Sequence, residues 1–323
     1  MLNYNKNMKF KFYYYIFLFF IFIFFIFFSE FLLRLYGLGT PVIYDTNISY
    51  RYAPKPNQSV TRFKGSRVTI NKDGLRATKD WDNKNNHKLL FFGDSVTYGG
   101  SYIDDKNIFS ELTCNFLNNK SHFNYLCGNA GVNAYGVDNI KNRILFGKIK
   151  NEQWIIVTLI PDDGYRSLQN IMSIPAFLDE PRFFPAIQEI LLNFFWKANI
   201  YLRENYRPNI SYNKEEDNVI FKESFINLKN ALMNETKNKK KVLVILHPSK
   251  KEVIHNKESK EYLLMKSIFQ DEKEKIILLD MFPIIRLQST KNIYYDDVHL
   301  DKDGHTVFAQ KLSDIIRKYD KSY

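Results

Sequence analysis

Five short apolar segments beyond residue 87 constrain the fold of this chain more than any other feature. Each reads as a buried strand because it is short and mostly apolar, although 123–130 also contains two asparagines. Segments with the periodicity of amphipathic helices lie between them. The strands are expected at 88–92, 123–130, 154–160, 241–247 and 275–280, and the helices at 108–118, 137–149, 221–235 and 302–319. This alternation predicts an α/β fold in which helices cover both faces of a parallel five-stranded sheet.

The N-terminal segment is a second strong feature. Residues 12–29 read FYYYIFLFFIFIFFIFFS and contain no charged residue. A helix rises about 1.5 Å per residue, so this run, continued by the apolar residues up to 33, can cross a bilayer core of about 30 Å. A cleaved signal peptide is the alternative, but the run is longer than a usual signal core and no A-x-A-like site follows it. We expect a transmembrane helix through residues 12–33.

The charges around this helix predict its orientation. Lysines at 6, 9 and 11 precede it, whereas Glu30 and Arg34 roughly cancel after it. The positive-inside rule then keeps the N-terminus in the cytoplasm. We expect a single-pass protein of the bacterial cell membrane whose main domain lies on the outer side.

Charge and cysteine content limit the kinds of molecule that the protein is expected to bind. The formal net charge is +11, but basic and aromatic residues do not alternate and no zinc-finger spacing occurs, so nucleic acid binding is not expected. A basic surface can instead face anionic lipid or an acidic glycan. Cys114 and Cys127 either form one disulfide in an oxidising compartment or remain buried thiols. Their surroundings lack further Cys or His at ligand spacing, and neither a metal nor another cofactor is expected.

Changes in composition divide the chain into three parts. Residues 1–36 form the cytoplasmic tail and anchor, residues 37–85 a strand-rich neck with a turn at 71–74, and residues 86–323 the α/β domain. Within that domain, residues 167–217 form an insertion rich in Phe, Trp and Tyr. A lid, a sugar-stacking wall or a membrane-contacting surface would each suit this composition. Because aromatic residues at helical spacing are more often core, we expect an extra helical layer with its own small core.

Two motifs carry the residue types of a serine nucleophile and its base. The first expected strand runs into FGDSVTYGG, which places Ser95 at the strand's carboxyl end, where α/β sheets bind their ligands. Near the C-terminus, DDVHL places Asp296 three positions before His299, so that the carboxylate can orient the imidazole. Alone, each motif has a structural alternative: a helix N-cap for the serine, and an acidic surface loop for the histidine.

Together, these motifs and two further blocks resemble the SGNH family, also called GDSL-like hydrolases. FGDSVTYGG resembles the family's first block, NAGVNAYG (129–136) the second, LIPDDGYR (159–166) the third and DDVHL the last; NKDGLR resembles the lead-in of membrane-anchored members. The resemblance covers residues 86–318. It implies a three-layer flavodoxin-like fold and a catalytic triad of Ser95, His299 and Asp296.

The resemblance also implies an oxyanion hole, and here the chain departs from the family. Its donors would be the N–H of Ser95, the N–H of the second block, where Ala134 replaces glycine, and a third-block asparagine, which Asp162 replaces. Ala134 keeps its N–H if the turn tolerates a Cβ. An ionised Asp162 would repel the oxyanion. Burial and the charge of Asp163 could keep Asp162 protonated as a donor, or Asn133 could supply the missing amide.

The expected chemistry is acyl transfer by an exported serine esterase. The resemblance, with the anchored arrangement, implies a small acyl group, acetyl, on a cell-surface polysaccharide, removed by water or transferred to a sugar hydroxyl. The alternative is a catalytically weakened module that binds a glycan or scaffolds an assembly, which Ala134 and Asp162 favour. His247, at the end of the fourth strand, is either a cleft residue or a satisfied buried histidine. Asp94, Asn133 and Asp163 are further cleft candidates.

Overall fold

The computed structural model describes residues 2–81, 87–120, 122–166, 168–171, 177–206, 214–272, 275–287 and 293–320. It begins with helix α1 (Leu2–Leu35). Within α1, Lys11–Leu35 has a mean hydropathy of 2.8, with no residue of its most apolar window buried. This segment is long and apolar enough to cross a membrane, a criterion that a signal sequence also meets.

Two antiparallel hairpins follow α1. Strand β1 (Tyr44–Asn47) pairs with β2 (Arg51–Pro54), and β3 (Gln58–Arg62) pairs with β4 (Ser66–Ile70). The expected turn follows them, because the N–H of Gly74 donates to the carbonyl of Asn71 at 3.1 Å and Gly74 has a φ of +73°. Buried side chains of the hairpins, among them Tyr44 and Tyr52, share one core with a face of the main sheet. The boundaries at 36 and 85 stay a prediction.

The main sheet has five parallel strands. They are β5 (His87–Phe92), β6 (Tyr125–Asn129), β7 (Trp154–Leu159), β8 (Lys241–Leu246) and β9 (Ile276–Asp280), in the spatial order β6-β5-β7-β8-β9. This is the flavodoxin-like order, in which the carboxyl ends of the first strands meet at a switch point that suits a ligand site. The predicted fold class is confirmed.

Helices cover both faces of this sheet. Their bounds are α2 (Ser95–Tyr98), α3 (Phe109–Asn118), α4 (Val137–Phe146), α5 (Ala186–Tyr206), α6 (Lys214–Lys237), α7 (Lys250–Ile254), α8 (Lys260–Gln270), α9 (Phe282–Leu287) and α10 (Lys302–Asp320). Alternate residues of β5 face opposite ways: Leu90 and Phe92 join the core under α4, α6 and α8, and Leu89 and Phe91 the core under α3, α9 and α10. Each face therefore has its own apolar core.

The two cysteines are bonded to each other. Cys114 on α3 and Cys127 on β6 form a disulfide, with their Cα atoms 5.9 Å apart. Of the two alternatives that the sequence left open, the structure shows the bridge. It ties α3 to the neighbouring edge strand of the sheet.

The aromatic insertion has both buried and exposed apolar side chains. Leu178, Phe184 and Ala186 are 1%, 2% and 0% exposed, whereas Phe194 and Phe195 on helix α5 are 64% and 63% exposed. The first turn of α5 is bonded to Glu30 and Gly39. A separate small core of the insertion stays a prediction. Residues 172–176 and 207–213 of the insertion lie outside the described ranges.

Candidate active site

A sharp turn at the end of β5 presents Ser95. Gly93 has a φ of +153°, and a Cβ at this position would lie 2.1 Å from Thr97 Oγ1, so the turn requires glycine. Asp94 then caps α2 by accepting the N–H of Val96 at 2.9 Å. Ser95 is the first residue of α2 and is half-buried. Among the described residues, its own N–H has no hydrogen-bond acceptor, as expected at the first turn of a helix.

A continuous chain of hydrogen bonds links Ser95 to the loop before α10. Ser95 Oγ lies 2.8 Å from His299 Nε2, and His299 Nδ1 lies 2.8 Å from Asp296 Oδ2 and 2.9 Å from Oδ1. Asp296 Oδ1 also accepts the backbone N–H groups of Val298 and His299, at 3.0 and 2.8 Å. These bonds close the D-x-x-H turn and fix the carboxylate below the ring. The structure thus brings together two motifs that lie 204 residues apart.

The electrostatics of these hydrogen-bonded residues suit His299 as a general base. Burial lowers the pKa of His299, but the hydrogen bond and the charge of Asp296 outweigh it, and the net shift is upward from 6.5. Burial raises the pKa of Asp296, whereas its bonds to His299 lower it further, to about 2. Asp296 is therefore an anion at neutral pH, and it favours the tautomer in which Nδ1 carries the proton and Nε2 can accept one from Ser95.

His247 supports the loop from beneath. It is fully buried at the end of β8, and its Nε2 lies 2.7 Å from the carbonyl oxygen of Val298, the residue before His299. Burial lowers the pKa of His247 to about 4, so the ring is neutral and its Nε2–H donates to that carbonyl. His247 is thus buried and bonded through Nε2, while its Nδ1 has no hydrogen-bond partner among the described residues.

Asp94 and Asp163 are also buried behind the cleft, where Arg166 joins them. Arg166 Nη1 lies 3.1 Å from Asp163 Oδ1, 3.4 Å from Asp94 Oδ2 and 3.2 Å from the carbonyl oxygen of Tyr135. Asp94 is 1% exposed and Asp163 fully buried. Burial and the charge of Asp94 raise the pKa of Asp163 well above 3.8, and Arg166 opposes them. The three side chains cross-link the first and third blocks of the site.

Sequence reasoning did not find the role of Arg166. The signal was a cation three positions after Asp163 in LIPDDGYR, but its second partner, Asp94, lies on another strand end. Arg166 also bears on Ser95. Ser95 Oγ also lies 3.3 Å from a second acceptor, Asp94 Oδ2. Arg166 Nη1 donates to the same oxygen at 3.4 Å, so the two donors share it. The shorter contact of Ser95 is the one to His299.

Ala134 and Asp162 are the two positions at which the chain departs from the second and third blocks of the family. Ala134 has a φ of +63°, so the second block does adopt the left-handed turn of a glycine and tolerates the Cβ. Among the described residues, its N–H has no hydrogen-bond acceptor. Asp162 is exposed whereas its neighbour Asp163 is buried. Asn133 directs its amide to Tyr44 Oη at 3.4 Å. The oxyanion-hole roles of these residues stay predictions.

A stacked pair of aromatic rings, the half-buried Tyr102 and the exposed Tyr295, flanks the His299 loop. The rings of Tyr102 and Tyr295 stack with centroids 3.8 Å apart and an angle of 13° between planes. Tyr102 Oη donates to the carbonyl of Leu300 at 2.9 Å, and the N–H of Tyr295 donates to the carbonyl of His299 at 2.8 Å. Tyr295 is 61% exposed. Sequence reasoning missed this pair, whose nearest signal was the position of Tyr295 directly before Asp296.

Comparison with known proteins gives similarity in solved structures alone. No protein-family model and no curated protein matches the sequence. A lipolytic protein of the G-D-S-L family from Veillonella parvula is 13% identical, with a TM-score of 0.40 over 71% of this chain and 97% of its own. A catalytic mutant of Axe2, an acetylxylan esterase from Geobacillus stearothermophilus, is 14% identical, with a TM-score of 0.44 over 71% and 94%.

A third similar structure is a two-domain esterase active on acetylated mannans. It is 15% identical, with a TM-score of 0.42 over 72% of this chain and 49% of its own. At such identities the similarity concerns the fold, and the chemistry proposed below depends on the geometry of the site itself. In fold, the chain is similar to GDSL-type lipolytic proteins and acetylxylan esterases.

Proposed function

We propose that the protein is an exported serine esterase that removes, or transfers, an acetyl group on a cell-surface polysaccharide. The observation that supports it most strongly is the unbroken hydrogen-bonded path from Ser95 through His299 to Asp296. A hydroxyl, a base and a carboxylate in this order at 2.8 Å contacts are what a nucleophilic serine requires. A module that only bound a glycan would have no need of this arrangement.

The proposed reaction has two halves. Ser95 Oγ attacks the ester carbonyl carbon while His299 Nε2 takes its proton, and Asp296 stabilises the resulting imidazolium. The bond from the acyl carbon to the sugar oxygen then breaks, and His299 gives its proton to that oxygen. Water or a second sugar hydroxyl next attacks the acyl-enzyme as His299 removes its proton. The bond to Ser95 Oγ breaks, and the proton returns to the serine.

The oxyanion wall makes this enzyme slow. The N–H groups of Ser95 and Ala134 are the two donors in our proposal, and the exposed Asp162 takes the sequence position of the asparagine that would complete the set. One missing donor typically costs about 10²- to 10³-fold in rate. A nearby negative charge adds repulsion to that loss. We therefore expect turnover that depends on Ser95 but falls well below that of an enzyme with all three donors.

The stacked tyrosine pair supports a sugar as the alcohol part of the substrate. His299 must protonate the leaving oxygen, so the alcohol lies on the side of the site that carries His299. Tyr295 lies on the same loop, and its exposed ring is supported from behind by Tyr102. Rigid aromatic surfaces beside a few polar groups are typical of ligand sites. We place the sugar ring next to Tyr295.

We further propose that α1 is a retained membrane anchor with the domain outside the cytoplasm. The contacts at its end support retention. Glu30 Oε1 accepts the N–H of Ala186 at 2.9 Å, and Arg34 Nη2 donates to the carbonyl of Phe184 at 3.0 Å. Leu38, just beyond α1, is only 4% exposed. Cleavage near residue 30 would remove side chains that the folded domain uses, which a signal sequence does not normally do.

The test is covalent labelling of Ser95 together with turnover of p-nitrophenyl acetate. The full chain in detergent micelles should react with a fluorophosphonate and release p-nitrophenol, and Ser95→Ala should do neither. Ser101→Ala is the matched control, because it removes a nearby serine hydroxyl outside the triad. If folded protein shows no Ser95-dependent labelling or turnover, the esterase proposal fails. The glycan-binding scaffold, which the exposed Asp162 favours, would then replace it.

A further inference from the structure

Helix α5 begins where α1 ends. The Glu30 carboxylate accepts the N–H of Ala186 at 2.9 Å through Oε1 and that of Ile187 at 3.0 Å through Oε2. The first N–H groups of a helix have no partner inside it and carry partial positive charge, so a carboxylate stabilises them. Glu30 of the apolar helix therefore serves as the N-terminal cap of α5. This contact places the first turn of α5 beside the outer end of α1.

A buried ion pair fixes the rotation of α5 about its own axis. Glu189, in the first turn, accepts the N–H of Gly39 at 2.6 Å and pairs with Arg62, whose Nη1 lies 3.3 Å from Glu189 Oε2. The two side chains are 3% and 6% exposed. Breaking a buried pair by moving one partner leaves an uncompensated charge, which is strongly destabilising. The face that carries Glu189 must therefore stay against the domain.

The face away from Glu189 is apolar and open. It carries Ile187, Ile190, Leu191, Phe194 and Phe195, which follow the i, i+3, i+4, i+7, i+8 spacing of one helical stripe. We term these five residues the α5 stripe. Ile190, Leu191, Phe194 and Phe195 are 40%, 48%, 64% and 63% exposed.

The apolar surface continues from the stripe toward α1. Phe183, just before α5, is 78% exposed and lies under the guanidinium of Arg34 at 5.0 Å. At the end of α1 itself, Phe31 and Leu35 are 57% and 69% exposed. These side chains and the α5 stripe extend one apolar surface from the membrane helix onto the domain. Large exposed apolar patches of this kind mark interaction surfaces.

We propose that the α5 stripe is embedded in the outer interface of the bilayer that α1 spans. The proposal rests on the anchor proposed above. Glu30 and Arg34 are charged and end the apolar span, so they lie at the level of the lipid headgroups. Glu30 accepts the N–H of Ala186 in the first turn of α5, and Arg34 donates to the carbonyl of Phe184 just before it, so the start of α5 lies at the same level. An amphipathic helix there buries its apolar face about 5–10 Å into the boundary between headgroups and acyl chains. Lipid therefore covers the stripe.

The disulfide allows a clean test in the full chain. Cys114 and Cys127 are the two cysteines of the sequence and are bonded to each other, so an introduced cysteine is the single free thiol. Phe194→Cys, carrying an environment-sensitive NBD label, is reconstituted into vesicles of phosphatidylcholine and phosphatidylglycerol with and without doxyl-labelled lipid. Asp314→Cys on α10, exposed on the other face of the sheet, is the water-side control, and Phe24→Cys within α1 is the membrane control.

We expect the label at 194 to be blue-shifted and quenched by doxyl lipid several-fold more than the label at 314. A charge in the stripe should reverse this: Leu191→Glu, added to Phe194→Cys, should reduce the quenching. Gln310→Glu, at an exposed polar position on α10, should leave it unchanged. Each labelled variant is compared by circular dichroism and by labelling of Ser95, so that a folding defect is recognised.

Three outcomes would overturn the proposal, and they are distinguishable. If the label at 194 has the same emission and quenching as that at 314, while the label at 24 is quenched, the anchor is intact and the stripe lies in water. A label at 194 shielded from water but not quenched by lipid would show that a second copy or another protein covers the stripe. An unquenched label at 24 would refute the anchor, and this proposal with it, while leaving the esterase proposal untouched.

Discussion

The two walls of the site differ in how completely they are equipped. On one wall, Ser95, His299 and Asp296 form a hydrogen-bonded chain with contacts of 2.8 Å, backed by Asp94 and buried His247. On the wall that we propose for the oxyanion, Ala134 holds a turn that suits glycine, and the exposed Asp162 takes the sequence position of the expected asparagine. In this proposal the proton-transfer wall is equipped for catalysis, whereas the oxyanion wall opposes it.

The difference between the two walls separates proton transfer from stabilisation of the oxyanion, two contributions to the rate that are usually measured together. Proton transfer typically contributes about 10²- to 10⁴-fold in rate, and each oxyanion donor about 10²- to 10³-fold. A protein with intact proton transfer and a weakened oxyanion hole should keep a reactive serine but turn over slowly. That combination suits an enzyme whose bound polymer supplies binding energy through other contacts. Substitutions can change each wall separately.

The largest effect is expected from the intact wall. Asp296→Asn removes the charge that holds Nδ1–H of His299 and should lower kcat by about 10³- to 10⁴-fold, because the ring then adopts the wrong tautomer. Steady-state turnover of p-nitrophenyl acetate measures it. Asp297→Asn, which removes the adjacent exposed carboxylate, is the control and should change kcat little. Equal losses in both variants would mean that the general charge of the loop matters more than the bond to His299.

The opposite change is expected from the weakened wall. Asp162→Asn supplies the amide donor and removes a repelling charge, and it should raise kcat by about 10²-fold. Asp303→Asn, an exposed acid on α10, is the control for the loss of one negative charge. If Asp162→Asn leaves kcat unchanged or lowers it, Asp162 does not face the oxyanion. The comparison of the two walls would then be wrong.

The pH profile tests the base directly. His299 must be neutral to accept the proton of Ser95, so kcat/KM should fall about tenfold per unit on the acid side of its pKa. Burial pulls that pKa down, but Asp296 raises it above 6.5, so the midpoint of this limb should lie above 6.5. In Asp296→Asn the two largest raising contributions are lost while burial remains, so the midpoint should move to lower pH. A midpoint that does not move would separate His299 from the measured limb.

A smaller effect is expected beside the intact wall. Tyr295→Ala removes the exposed ring and should lower kcat/KM for an acetylated oligosaccharide by about tenfold, while turnover of p-nitrophenyl acetate stays the same, because stacking of one ring is worth about 1 kcal/mol. Tyr295→Phe keeps the ring and should retain activity. Phe146→Ala, at an exposed position on α4, is the control. Parallel losses on both substrates would point to a disturbed His299 loop.

The smallest effect is expected at Ala134. Its φ of +63° is unfavourable for alanine, so Ala134→Gly should raise Tm by about 2 °C, a gain of at most about 1 kcal/mol. Because the donor is the backbone N–H, kcat should not change. Ala130→Gly, buried in the same block, has no positive φ to relieve and should lower Tm. A drop in Tm for Ala134→Gly would show that the Cβ packs better than the turn is strained.

The sequence predicted the sheet and the positions of Ser95, Asp296 and His299, for different physical reasons. Strands such as β7 and β8 are buried on both faces and therefore appear as unbroken apolar runs. Helices α7 and α9 were not predicted, because five or six residues are too few to show helical periodicity. The order of the motifs along the chain predicted that Ser95 and His299 lie at one edge of the sheet, although the two residues are far apart in sequence.

Other features depend on which surfaces meet, and a single sequence does not encode that visibly. Arg166 bonds to Asp94 across the first and third blocks, and only the folded sheet brings them together. The exposure of Phe194 and Phe195 on α5 could not be predicted, because an apolar stripe has the same periodicity whether protein or lipid covers it. Likewise, Asp162 and Asp163 are chemically identical neighbours, and the direction of one turn decides which is buried.

The cap that Glu30 provides for α5 bears on where the enzyme works. A domain on a long flexible linker can sample a wide volume of the cell envelope, since its reach grows with linker length. Here α1 passes into folded structure by Leu38, and its last turns are bonded to the domain. If α1 is the anchor that we propose, the site keeps a fixed height above the lipid. A polymer substrate would then have to be modified while it is still close to the membrane, before it moves outward into the envelope.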